Sequence, residues 1–186
     1  MEIEEVKLAE NALSPFKWTD VEKRDELALR EAWDDDAFAF ARQYKSADAV
    51  LIGAPYWDLS FPAVLKAYFE HICVAGLTFR YTEAGPVGLC GNKKVVVVST
   101  SGGLHAGQET GVAHEDYLKV MLGFMGITDV EFVRAHGLAD PGRQGRQRLE
   151  AGRTLHGQMQ AKAAQPQGCG EFGGDQVAGL VTLARR

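Results

Sequence analysis

Two short segments carry side chains suited to gripping a flat aromatic ligand. In the first, Pro55, Tyr56, Trp57, Asp58 and Leu59 set two adjacent aromatics in a loop. Such rings can flank a heteroaromatic plane while main-chain amides bond its edge; they can equally pack over the end of a sheet. In the second, Thr100 and Ser101 precede the paired glycines Gly102 and Gly103. The hydroxyls offer hydrogen bonds, and backbone without a Cβ lets N–H groups approach a ligand closely. The same four residues also suit an ordinary strand-to-loop turn. His105 follows after Leu104, either touching a bound molecule or packing a loop. No residue stands out as nucleophile or general base. Neither a dinucleotide fingerprint nor a phosphate-binding P-loop is found. His71, His114, His136 and His156 have no metal-ligand spacing, and Asp34, Asp35 and Asp36 read as a helix start favoured by the dipole.

Each segment follows a run of apolar residues typical of a strand buried on both faces. Residues 49–53 form a short continuous apolar stretch, and residues 94–99 contain four consecutive valines. A third strand is expected over 130–135 and a short, charged one over 2–8. Helices are expected from Thr19 to Ala32, after Asp36, after Ser60 with Pro62 in the first turn, and near 115–125 with Gly126 as C-cap. The third would turn Val64, Leu65, Tyr68, Phe69 and Ile72 inward; the last, Leu118, Met121, Leu122 and Met125. Residues 76–91 read as irregular, and residues 142–164 as helical and basic. Strands alternating with helices mean an α/β fold with a parallel sheet and helices on both faces. Ligands of such sheets bind beyond the carboxyl ends of the strands, where both segments fall.

At 186 residues the chain suits one domain, expected over 1–165, with a Gly- and Gln-rich flexible tail expected over 166–186. A net charge of −5 gives no general attraction to nucleic acid or to an anionic membrane. No apolar run approaches membrane-spanning length. The acidic start after Met1 is unlike a signal peptide, and the odd count of widely spaced cysteines fits free thiols; both point to a cytoplasmic protein.

Together the segments resemble a known family. Residues 54–70 look like the flavin-ring loop and following helix of FMN-dependent NADH azoreductases and related NAD(P)H quinone reductases. Residues 76–89, 93–103 and 122–130 resemble the next three pieces in order. The resemblance implies a flavodoxin-like fold and a homodimer. It implies ping-pong electron transfer from NADH or NADPH through FMN to a quinone or azo compound. It places Pro55, Tyr56, Trp57, Asp58 and Leu59 along the isoalloxazine and Thr100, Ser101, Gly102 and Gly103 on its other side, with Phe79, Tyr81 and His105 toward the substrate. Asp58 stands where many azoreductases have Asn, and Ser101 where they often have Arg. An FAD-using quinone reductase is a second reading within the class. A non-catalytic flavodoxin-fold remnant, serving as a dimerising or binding module, is a reading outside it.

That family begins with an apolar strand and a serine-rich loop that cradles the FMN phosphate at a helix N-terminus. No segment before Ala49 matches them. The expectation is therefore a sheet whose first strand is missing, with a gap or a substitute at its centre, and weak or no FMN binding.

Overall fold

The protein's structure is a computed structural model that describes residues 2–10, 13–103, 109–139 and 179–185. Strand β1 spans Glu2–Lys7, β2 Ala49–Gly53, β3 Phe79–Thr82, β4 Gly85–Gly88, β5 Lys94–Thr100, β6 Val130–Ala135 and β7 Leu180–Arg185. Helix α1 spans Trp18–Leu29, α2 Ala39–Ser46, α3 Ala63–Ile72 and α4 Glu109–Phe124. A 3-10 turn, Asp36–Phe38, leads into α2, with Asp35 accepting from the Ala37 N–H at its cap.

The main sheet has the order β1-β7-β2-β5-β6. Strand β5 pairs in parallel with β2 and with β6, as consecutive crossovers over α3 and α4 require. Their alternate residues Val50, Ile52, Val95 and Val97 are almost fully buried. They form one core with Tyr44, Leu65, Tyr68, Phe69, Leu118, Leu122 and Met125, so α2, α3 and α4 cover the same face. The helix expected over 142–164 lies outside the described residues.

The centre of the sheet departs from the expectation of a parallel sheet lacking a strand. Strand β7 fills the place between β1 and β2 and runs antiparallel to both. The sheet is therefore mixed. Val181 and Leu183 are fully buried in the common core; burying two such side chains stabilises by about 1.5–3 kcal/mol each. Arg185 fastens the far end, pairing with Glu4 at 3.0 Å and donating to Ser46 Oγ at 2.9 Å. A flexible tail running to residue 186 is thus corrected over 180–185. These six residues gain two hydrogen-bonded neighbours and a buried face, which outweigh their lack of a long sequence pattern.

Two smaller expectations also change. Residues 76–91 are not irregular throughout: they contain the β3–β4 hairpin. Pro62 is the N-cap of α3 rather than a residue of its first turn, and Ser60 instead closes a tight turn with Trp57. The hairpin is fixed by backbone contact. A Cβ built on Gly88 would fall 1.9 Å from the Gly126 nitrogen, so glycine is required there. Gly126 itself has φ +87°, the left-handed conformation that ends α4.

Candidate functional site

Both candidate loops lie at the carboxyl end of the sheet. The first continues β2 alongside β5: the Ala54 N–H donates to Val98 O at 2.9 Å and the Tyr56 N–H to Thr100 O at 2.7 Å. The chain then reverses through Trp57–Ser60, whose backbone groups exchange two hydrogen bonds of 2.8 Å. Its central residues have positive φ, +48° at Asp58 and +65° at Leu59. This is the mirror-image turn normally built from Asn and Gly. Asp tolerates that conformation; leucine does so at a cost of about 1–2 kcal/mol. The turn also holds Trp57 54% and Leu59 64% exposed. Strain and apolar exposure at one turn are what a ligand-contacting loop shows.

The second loop is zipped to the segment after β6. The Ser101 N–H donates to Ala135 O at 3.1 Å, and Gly137, Leu138 and Ala139 donate to the carbonyls of Gly103, Ser101 and Gly102. The Ser101 hydroxyl donates to Gly103 O at 2.8 Å, so it shapes the loop. Packing does not demand glycine at 102, where an added Cβ would meet only Ala139 Cβ at an ordinary 3.6 Å. The Tyr56–Thr100 bond ties the two loops together. Pro55 through Leu59 and Thr100 through Gly103 are therefore neighbours, as sequence reasoning expected; His105 lies outside the described residues.

Phe79 and Tyr81 are not brought to this place. They sit on the β3–β4 hairpin, with Phe79 packed on Phe124 at 4.5 Å between centroids and Tyr81 on Phe79 at 5.3 Å. Tyr56 instead packs on His114, 5.0 Å away and near the other end of α4. The ten residues from His114 to Phe124 separate the two contacts by about 15 Å along the helix. Tyr81 is 73% exposed and faces away from the core of its own chain.

Sequence reasoning passed over His114. It is buried, its Nε2 lies 3.1 Å from Ser99 Oγ, and its ring backs Tyr56. It thus touches the strand that carries one loop and the side chain that begins the other. The signal was present: 114, 118 and 122 recur at helical spacing, and all three are buried. Next to it, buried Glu115 accepts two hydrogen bonds from Arg134, fixing α4 against β6. A groove of about 510 Å³ opens behind the first loop, between α3 and α4, lined among others by Ser60, Phe61, Ala67, His114 and Tyr117. Lys66 pairs with Glu70 beside it, and that hydrogen bond raises the lysine pKa. The groove adjoins the first loop without including Gly102 or Gly103.

Among the described residues no helix is long and apolar enough to cross a membrane. A family model described as flavodoxin-like fold matches residues 1–158. An FMN-dependent NADH:quinone oxidoreductase of Pseudomonas fluorescens is 59% identical over 139 residues, covering 71% of this chain and 68% of that protein. One of Pseudomonas putida is 63% identical over 109 residues, covering 59% of this chain and 54% of that protein. The chain thus spans between half and about two thirds of the length of these curated relatives. Among solved structures, an FMN-dependent NADH-azoreductase of Bacillus anthracis in complex with FMN aligns with TM-score 0.67 at 26% identity, over 81% of this chain and 78% of the other. The strand order, the crossovers and these likenesses agree, and the chain belongs to the flavodoxin-like fold family whose close relatives are FMN-dependent NADH:quinone oxidoreductases.

Proposed function

We propose that the protein works as an FMN-dependent oxidoreductase that passes electrons from NADH or NADPH to a quinone or azo compound. The observation that carries this reading is the joining of the two aromatic and glycine loops at the carboxyl end of the sheet by the Tyr56–Thr100 hydrogen bond. Bound FMN supplies the two-electron chemistry; the chain's own residues bind, orient and shield its ring. Pro55, Tyr56, Trp57, Asp58 and Leu59 form one wall of the ring site and Thr100, Ser101, Gly102 and Gly103 the other. His114 holds Tyr56 from behind. The ring part of the cofactor fits these residues. Among the described residues the sheet centre offers the phosphate no helix start, because β7 occupies it and enters it from the carboxyl end.

The same reading makes the working unit a homodimer. Phe79 and Tyr81 stand about 15 Å along α4 from the Tyr56 contact, so one chain's hairpin does not reach its own loops. A second copy can supply an exposed Tyr81 to a neighbour's ring site. An isologous pairing would bury Tyr81 and Val87, which are 73% and 42% exposed. Cys73 and Cys90 are free thiols, which suits a cytoplasmic setting.

The test is NADH oxidation with a benzoquinone acceptor and FMN added in excess. The reading expects FMN-stimulated turnover that falls at least about tenfold in Trp57→Ala, a loss of about 1.4 kcal/mol, with an unchanged melting temperature. A folded chain that shows no FMN-stimulated turnover would leave the non-catalytic binding module as the better reading.

A further inference from the structure

We infer that the groove between α3 and α4 is a binding site for a small, neutral, planar carbonyl compound of the quinone class. The inference rests on the reading above for the ligand's role as electron acceptor and adds where that acceptor docks. The groove opens beside the first loop, and Ser60 and His114, which close and back that loop, both line it. Its volume of about 510 Å³ falls within the roughly 300–1,000 Å³ typical of small-molecule sites.

The shape follows from the sequence. Ala63, Lys66, Ala67 and Glu70 fall at i, i+3, i+4 and i+7, so they share one stripe of α3. The two alanines leave room above the helix. Phe61 and Tyr117 form an aromatic wall, with ring centroids 5.3 Å apart and planes inclined by 41°. Pro15 borders the groove on a loop pinned to α3, where Phe16 stacks on His71 at 4.3 Å and Arg24 covers Phe16 at 5.0 Å. Apolar walls of this kind suit a flat ring.

The polar groups give the ligand its chemistry. The Lys66 ammonium donates to Glu70. That bond raises the lysine pKa, burial opposes it, and the nearby Tyr117 hydroxyl adds to it, so the ammonium persists. Burial also raises the Tyr117 pKa, which keeps its O–H as a donor. An ammonium carries three N–H donors, and Glu70 accepts one of them. The Lys66–Glu70 pair is neutral as a whole, so an anionic ligand would meet the Glu70 charge at close range. A neutral carbonyl accepts from Lys66 or Tyr117 without that repulsion. A quinone supplies such a carbonyl on a flat apolar ring, whereas an azo nitrogen is the weaker acceptor.

The experiment titrates the isotopically labelled 186-residue chain with duroquinone, whose fully substituted ring resists thiol addition, and separately with benzoate. NADH is left out, so that nothing turns over, and backbone amides are followed by NMR. The inference expects saturable shifts at Ala63, Ala67 and Tyr117, with benzoate binding more weakly than duroquinone. Duroquinone affinity should fall at least about tenfold in Lys66→Met and about threefold in Tyr117→Phe, with melting temperatures unchanged. No saturable shift at these amides, an affinity unmoved by either variant, or tighter binding of benzoate would overturn the inference. FMN-stimulated turnover in the assay above would survive each of these results. Its absence would remove the oxidoreductase reading and leave the groove titration as it stands.

Discussion

The two ends of the sheet are built on opposite principles. At the amino end, Lys93 is buried and its ammonium donates to the carbonyls of Tyr44 and Lys45, at 2.6 and 3.0 Å, closing the C-terminus of α2. Thr78 donates to Ile72 O and accepts from the Val74 N–H, and Gly88 lies against Gly126 without room for a methyl group. At the carboxyl end the chain keeps positive φ at Asp58 and Leu59, leaves Trp57 and Leu59 in solvent, and retains a glycine at 102 that packing does not require. The carbonyls that end α2 and α3 are given donors at one end, and local strain is tolerated at the other. The difference teaches where stability resides and where the proposed ligand contact falls.

Glycine substitutions give the largest break in this comparison. Gly88→Ala drives a methyl group into the Met125 and Gly126 backbone and should cost about 3 kcal/mol or more in chemical denaturation. Gly102→Ala should change stability by less than about 0.5 kcal/mol, since its methyl group meets only ordinary contact, yet it should weaken flavin binding. Equal destabilisation by the two would erase the distinction between the ends.

Lys93→Met comes next. Burial lowers the lysine pKa, so removing its charge recovers some desolvation. The Tyr44 and Lys45 carbonyls still lose their charged donor, and a net loss of about 1–2 kcal/mol is expected in urea unfolding. Unchanged or increased stability would show that the ammonium does not cap α2.

Leu59→Gly should act in the other direction. Relief of a left-handed leucine, less the extra freedom glycine has when unfolded, leaves a gain of about 0.5–1 kcal/mol. Calorimetry should show a higher melting temperature. A lower one would mean that the turn is not strained.

The smallest effect concerns His71, which stacks on Phe16 at 4.3 Å and lies 3.4 Å from the Ser14 carbonyl. Burial, aided by nearby Arg24, lowers its pKa below 6.5, against the opposing pull of the Ser14 contact and of Glu70 and Asp20. The folded state therefore prefers neutral imidazole. The stability this contributes is present above the ordinary value and is lost as pH falls through the depressed one. Melting curves between about pH 7 and about pH 5 should fall more steeply for the wild type than for His71→Gln. Identical slopes would remove His71 as the cause.

Much of this architecture was legible because it is local. The valine run of β5, the inward stripe of α3, the Gly126 cap and both candidate loops follow from period, cap chemistry and strand-end position. What escaped depends on distant partners. Six residues, Leu180–Arg185, acquire strand character only between β1 and β2, more than a hundred residues earlier in the chain. The hairpin escaped because Pro86 in β4 argues against a strand interior, although a two-stranded ribbon tolerates it at an edge. His114 escaped because its role lies in touching Ser99 and Tyr56, a contact that exists only once α4 has packed.

The central claim is that ligand binding belongs to the carboxyl end alone, and backbone NMR of the labelled chain titrated with riboflavin tests it most directly. Amide shifts should move at Tyr56–Leu59 and Thr100–Gly103 and stay fixed at Thr78, Gly88, Lys93 and Gly126. Shifts gathered at the second group, with the loops unmoved, would contradict the account.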